Sequence, residues 1–554
     1  MSAKIAKMNL IAERMVADGW CIHQVRYLTR MLDVETVSYL SCLQRSTLRP
    51  ESHNDCLAAS NCVAYNIDEN NYKTRHADPC NESDCEHVFV PYDELIRTIQ
   101  EGHVPLVSVH SNNDVPPKLS IKIHKRESFS QYWALSHVWA DGLGNPNIKK
   151  EHRHLREASI ACMASIYAGA HTTMVLDAEL MATTTTTHEC LARIICSVWM
   201  RRSWTLQEGL LSPQCTIWFA DKAVIFRPAE DGELMTWGYP YQAIGGTDAP
   251  KRHLNAIDDS IQTSLIRFLE YHFLHIRHLI RLKDQQFSYN AHDQVNYFGN
   301  ETSQFPNFGG PASISEEKLH AALCECFVLI WNALSGRSTS KSKELSLILA
   351  NLLDMGCGPL LNLTTEERLQ SIIFSLPRLP LSLLFNSGPK LTSKKYPFNR
   401  WVPVEMSADL LTQRSTLQFL DPGDKSSKHF LKAKGGYDFK CIVVKGSELL
   451  KGRTFLLDVL DTNTNIICTT IPFEVLPPVL EGSTDTCILF EAHDSMRGAL
   501  LQVSQTDLDT VYLVYHCAIR LEINRNVAQG LQTFQGSYLA SNIELLILYS
   551  ENIY

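Results

Sequence analysis

Tyr132-Trp-Ala-Leu-Ser-His-Val-Trp-Ala-Asp-Gly-Leu-Gly-Asn-Pro146 is the stretch on which the reading of the fold turns. Tyr132 to Val138 has the length and apolar character of a buried strand, and it runs into a loop dense with Asp, Gly, Asn and Pro. Glu151 to Ala168 then carries helical spacing, and Thr172 to Leu176 reads as a second buried strand. Strand, helix and strand in that order predict a crossover that leaves the two strands parallel. Parallel sheets bind ligands at the carboxyl ends of their strands. The first strand would therefore deliver Ser136, His137 and Asp141 to a loop carrying Gly142 and Gly144. Those glycines do not complete a dinucleotide fingerprint, and the loop taken alone also reads as a tight turn.

Downstream, Cys190 to Met200 predicts a second helix, and Gln214 to Phe219 with Val224 to Phe226 predict further strands. Five consecutive threonines before His188 read as a surface loop. Five of the nine tryptophans lie between Trp133 and Trp218, which gives this segment an aromatic core of its own. Upstream, Ile5 to Asp18, Val34 to Arg45 and Tyr92 to Gln100 show helical spacing, and Val104 to Val109 and Leu119 to Ile123 read as short strands. Beyond residue 250 the periodicity is helical at Ile257 to Leu282, Glu316 to Leu334, Lys343 to Leu353 and Thr365 to Leu376. After Trp401 it alternates, as in Phe439 to Val444, Thr454 to Leu460, Asn465 to Phe473, Thr486 to Phe490 and Val511 to Leu521. Four regions follow: 1–128, helical and rich in Cys and His; 129–250, the α/β segment; 251–400, helical; and 401–554, an antiparallel β-rich domain.

Length and charge narrow the function. A chain of 554 residues is long enough for several domains, and 51 Lys+Arg against 60 Asp+Glu removes the bulk electrostatic reason to expect a nucleic-acid binder, while leaving room for a local basic patch. No apolar signal core follows Met1, and no window is apolar enough for a membrane span, so a cytoplasmic protein is expected. Seventeen cysteines in a reducing compartment predict thiols or metal ligands rather than disulfides. Six fall before residue 90, and four of them stand in the pattern His53-x2-Cys56-x5-Cys62-x13-His76-x3-Cys80-x4-Cys85-x-His87. Thiolates and imidazoles in a polar, loop-rich segment suit a structural zinc, with Cys56, Cys62, His76, Cys80 and Cys85 as the ligand pool; otherwise they are thiols in a loop. His272, His275 and His278 fan around a helix and read as a solvated face. No G-x-S-x-G, H-E-x-x-H or P-loop is present.

Two blocks, Ala134 to Pro146 and Trp199-Met-Arg-Arg-Ser-Trp-Thr-Leu-Gln-Glu208, closely resemble the signature blocks of the fungal heterokaryon incompatibility (HET) domain. The stretches Gly19-Trp-Cys-Ile-His-Gln24, Cys62-Val-Ala-Tyr-Asn66, Tyr72-Lys-Thr-Arg-His76 and Pro105-Leu-Val-Ser108 resemble a large subgroup of the same proteins. The resemblance covers residues 10 to 220 well and the region to 400 loosely. It implies a TIR/flavodoxin-like small parallel sheet and a cytoplasmic effector of non-self recognition and programmed cell death, acting with protein partners. Some TIR domains cleave NAD, so the resemblance also allows a TIR-like NAD glycohydrolase. In that case Glu208 would be the carboxylate that stabilises the ribosyl cation, with Ser136, His137, Asp141, Gly142 and Gly144 forming the pocket. The bland alternative has Glu208 capping or pairing with Arg201 or Arg202, and Trp139 and Trp204 in the core.

One departure matters. Proteins of this kind carry several tens of residues, including a strand, between the Gly-Asn-Pro-Asn turn and the next helix, whereas here Asn147 is followed at once by Ile148-Lys-Lys-Glu-His-Arg-His154. A sheet lacking that strand should leave its neighbours' edges and apolar faces open. An impaired effector, or a degenerate inactive paralogue, follows as a third reading.

Overall fold

The computed structural model describes residues 2–43, 53–59, 62–64, 88–112, 119–127, 130–137, 153–184, 187–226, 259–269, 272–273, 276, 280, 315–339, 344–391, 399–406, 409–420, 429–434, 439–449, 454–460, 467–475, 482–491, 497–506, 510–521, 533–538 and 544–549. The chain divides into two compact units: Met1–Pro311 with Gly336–Leu361, and Ala312–Ser335 with Asn362–Tyr554. Both mix helices with sheet.

The first unit opens with three helices, α1 (Ser2–Ala17), α2 (Ile22–Met31) and α3 (Val34–Ser41). Gly19, at φ +86°, takes the left-handed conformation that ends α1 and turns the chain, so buried Trp20 and Cys21 follow directly. Asp33 caps α3 by accepting from the Thr36 N–H (2.8 Å). After a helical turn at Asn54–Leu57 comes α4 (Tyr92–Gln100), which packs on the antiparallel hairpin of β1 (Pro105–Ser111) and β2 (Leu119–Lys125).

The expected crossover is present. β3 (Trp133–His137) lies parallel to β4 (Thr172–Leu176), with Trp133 opposite Thr172, and α5 (Arg153–Ala168) connects them. β4 is parallel to β5 (Cys215–Trp218), which pairs antiparallel with β6 (Ala223–Phe226), giving the order β3-β4-β5-β6. Helices α6 (Ala178–Met181), α7 (Thr187–Cys196), α8 (Val198–Arg201) and α9 (Ser203–Leu211) join β4 to β5, and α10 (Asp259–Leu269) packs on α7. Among the described residues β3 has one neighbour, β4. Alternation along it buries Ala134 and Ser136 and leaves Trp133 and Leu135 59% and 49% exposed. The short 147–151 junction, on which the expected loss of a strand rests, lies outside the described residues.

In the second unit, helix Glu316–Ser335 presents a long buried face from Cys324 to Leu334, and Thr364 and Glu367 form a reciprocal capping box at the start of helix Thr365–Ser375. The strands are β7 (Arg378–Pro380), β8 (Thr416–Leu420), β9 (His429–Lys434), β10 (Phe439–Leu449), β11 (Thr454–Leu460) and β12 (Ile467–Val475). There follow β13 (Gly482–Glu491), β14 (Arg497–Thr506), β15 (Thr510–Leu521), β16 (Thr533–Tyr538) and β17 (Glu544–Tyr549). They form one sheet in the order β12-β11-β16-β10-β13-β14-β15-β17-β9-β8-β7, and β12 also pairs with β15. The expected antiparallel texture holds except at β11–β16 and β15–β17, which are parallel. Twelve described cysteines are thiols, as expected, while Cys487 on β13 is disulfide-bonded.

Tight packing at Gly209 sets the position of α9. A Cβ there would come within 2.7 Å of the Phe273 ring and 3.2 Å of Trp199, which stack on each other at 5.8 Å. Gly209→Ala should therefore destabilise the first unit by about 1–3 kcal/mol, against the roughly 1 kcal/mol that alanine gains in a helix. Urea unfolding followed by tryptophan fluorescence tests this; a more stable variant would show that the contact is slack.

Candidate functional site

The two signature blocks meet in one buried hydrogen-bond chain. Strand alternation turns Ser136 inward near the carboxyl end of β3, and the second turn of α9 brings Glu208 to it. Ser136 Oγ donates to Glu208 Oε2 and accepts from Trp199 Nε1 (2.6 Å). Indole N–H is a donor only, so the direction of the chain is fixed: Trp199 to Ser136 to Glu208. On the other side Tyr167 of α5 lies close enough to Glu208 to influence it, while its hydroxyl donates to the Leu135 carbonyl (3.0 Å).

A tyrosine has one hydrogen to give. Tyr167 gives its hydrogen to the Leu135 carbonyl, and Ser136 is the hydroxyl that donates to Glu208. Burial pushes the Glu208 carboxyl up to about 7, against the opposing pull of the Ser136 hydrogen bond, Arg202, Tyr167 and Arg337. At neutral pH this is an enclosed, substantially protonated acid in a closed network. Of the two arginines offered as partners for Glu208, Arg202 acts on it electrostatically and Arg201 donates to Gln24.

The rest of the second block is equally committed. Asp177, just past β4, accepts from the Glu179 and Leu180 N–H groups and, through its other oxygen, from the Trp199 N–H (3.0 Å). Buried Arg337 donates to the Arg202 carbonyl (2.9 Å) and to Thr205 Oγ1 (3.2 Å). Ser203 N–H donates to the Ser338 carbonyl (3.0 Å), Trp204 Nε1 to Glu344 (2.9 Å), and Asn351 to Gln207 (3.3 Å). Trp204 is thus half-buried and hydrogen-bonded to the returning segment 336–361. Asp177 and Arg337 were not among the sequence candidates; an acid directly after a parallel strand was the available signal for Asp177, and Arg337 had none.

His137 ends β3 opposite Leu176 and is half-buried. Asp141, Gly142, Gly144 and Trp139 lie outside the described residues. His272 departs from the expected solvated face. It is fully buried, bonded to the Phe268 carbonyl (2.7 Å) and to Tyr27 Oη, and burial pushes it down to about 3. His275 and His278 lie outside the described residues.

A second constellation is a Cys/His cluster able to hold a metal: Cys21, His53, Cys56 and Cys62, with ligand atoms all within 4.8 Å of one another. Cys56 Sγ is 3.8 Å from Cys62 Sγ and 3.6 Å from His53 Nδ1, and Cys62 Sγ is 3.8 Å from the same nitrogen. Of the five expected ligands, Cys56 and Cys62 are here; His76, Cys80 and Cys85 lie outside the described residues. His53 stood in the quoted pattern but not in the ligand pool, and Cys21 was missed because it is more than thirty residues upstream. Hydrogen bonding from Cys62 and His53, with Arg201 nearby, holds the Cys21 thiol low, while the bond to Cys21 and burial push Cys62 up.

No protein-family model, curated protein or solved structure matches this chain. Among the described residues no helix is long and apolar enough to cross a membrane.

Glu208 carries a pH signature. Its carboxyl rises from the usual 4.5 to about 7 on folding. Between those values the native state holds a proton that the unfolded chain has lost, so stability should fall as pH rises, by an amount on the order of 3 kcal/mol. The curve should be flat on either side. Glu208→Gln, whose amide oxygen can still accept from Ser136, should remove that slope in urea titrations from pH 4.5 to 8; an unchanged slope would assign it to other groups.

Proposed function

We propose that the chain is an interaction and effector module of the fungal heterokaryon incompatibility type, serving non-self recognition and cell-death signalling with protein partners in the cytoplasm. What supports this reading is that the two blocks carrying the resemblance pack as one unit, through the Trp199–Ser136–Glu208 chain. An enclosed acid with all its partners in place suits a scaffold that holds sheet and helices together better than a carboxylate facing substrate. In this reading the Cys/His cluster is structural, and zinc is its ion.

A second reading, a TIR-like NAD glycohydrolase, draws on one observation: Glu208 and Ser136 lie near the carboxyl edge of parallel strands, where such folds bind ligands. Deprotonated, Glu208 would supply the negative charge that a ribosyl cation requires. The exposed Trp133 and Leu135 on β3 support the third reading, an effector weakened by the shortened junction.

Inducible expression in a filamentous fungus, with NAD measured before any loss of viability, separates the three. The module reading expects cell death that survives Glu208→Gln, with NAD intact, and weaker killing than a HET protein carrying the longer junction. NAD loss by the purified protein that Glu208→Gln abolishes would establish the enzyme instead. No death and intact NAD would support the inactive paralogue and overturn both.

A further inference from the structure

We propose that Cys21, His53, Cys56 and Cys62 bind one zinc ion in a closed tetrahedral centre that ties the N-terminal helices to the second signature block. The proposal rests on the structural reading of the cluster and adds its ligand set, its charge and its mechanical role.

The distances carry the argument. Zinc–sulfur bonds of about 2.3 Å and zinc–nitrogen bonds of about 2.0 Å in a tetrahedron place sulfurs about 3.8 Å apart and a sulfur about 3.5 Å from the nitrogen. The chain holds Cys56 and Cys62 at 3.8 Å and His53 Nδ1 at 3.6 and 3.8 Å from them, with Cys21 inside the same sphere. A disulfide requires about 2.05 Å between sulfurs, so these side chains converge on a shared point rather than on each other. The three sulfurs are buried, and among the described residues partly buried Val63 and Ala64 pack against them. A metal bound there would add its own binding free energy to the join between the two segments.

The surroundings have the features of a metal's outer shell. The Val63 N–H donates to Cys56 Sγ (3.4 Å), and His23 on α2 donates to the Cys56 carbonyl (2.8 Å). Three thiolates, one neutral imidazole and Zn²⁺ sum to −1. Buried Arg201 supplies the matching positive charge: its field reaches both Cys21 and Cys62, and its guanidinium donates to Gln24 Oε1 (3.1 Å). Gln24 in turn donates to the Cys196 carbonyl at the end of α7 (3.2 Å). The ion thus draws the Asn54–Leu57 turn onto the start of α2, and Arg201 carries the tie into the block that ends at Glu208. Four protein ligands leave no position for water or substrate, so the centre is structural; three sulfurs and one imidazole select zinc over oxygen-seeking cations.

The test is elemental analysis of the full chain purified under reducing conditions without chelator, with cobalt(II) reconstitution as an independent readout. One zinc per chain is expected, and the cobalt protein should show thiolate-to-metal charge transfer with the intense visible bands of a tetrahedral site. Cys62→Ser should lose zinc to a competing chelator at least about tenfold more readily than wild type, and Cys42→Ser, an exposed cysteine outside the cluster, should match wild type. Should Cys62→Ser fail to fold, the wild-type cobalt spectrum decides the coordination on its own. Absence of zinc together with a cobalt spectrum lacking thiolate character would overturn the proposal, as would full zinc retention by folded Cys62→Ser. None of these readouts depends on killing or NAD cleavage, so failure of the signalling reading leaves this one standing, and the converse.

Discussion

The first unit depends on one constraint: most polar groups of the short segment 198–208 are buried, and nearly all of those need partners. Its side chains and backbone reach in every direction, to Asp177 beyond β4, to Ser136 on β3, to Gln24 on α2, and to Arg337, Ser338, Glu344 and Asn351 in the returning segment. Leaving one buried partner unmade costs about 1–3 kcal/mol. The sequence of the block is therefore explained by residues that donate or accept in fixed directions, with little of it free to vary for packing reasons alone.

That constraint also explains the state of Glu208. Tyr167 donates to the Leu135 carbonyl, so Ser136 is the hydroxyl that donates to the buried carboxyl. Burial favours the neutral acid, which can still accept from Ser136. The geometry makes the acid a structural partner in the neutral state and a source of buried charge above it.

Much of the architecture was legible from local pattern. β11 and α4 follow from apolar periodicity and turn residues, which act over a few residues, and the β3–α5–β4 crossover follows from the order of its elements. The Asp33 cap preceding α3 is of the same kind, a side chain serving a backbone group three positions on. Elements whose register depends on distant partners were harder: helix α2 escaped notice, and the parallel pairings β11–β16 and β15–β17 join strands far apart in sequence.

By itself, then, the sequence determined the class of fold, the convergence of apolar faces, and the two blocks that stand out chemically. Only the tertiary structure decided what those blocks do with their polar atoms. His272 looks solvated at helical spacing but is sealed beneath Tyr27 and Phe268. Cys21 looks like an isolated thiol but lies against His53, Cys56 and Cys62. Periodicity records which face of an element is buried, a local property; which groups share that burial depends on how remote segments are brought together, and a one-dimensional pattern does not encode that.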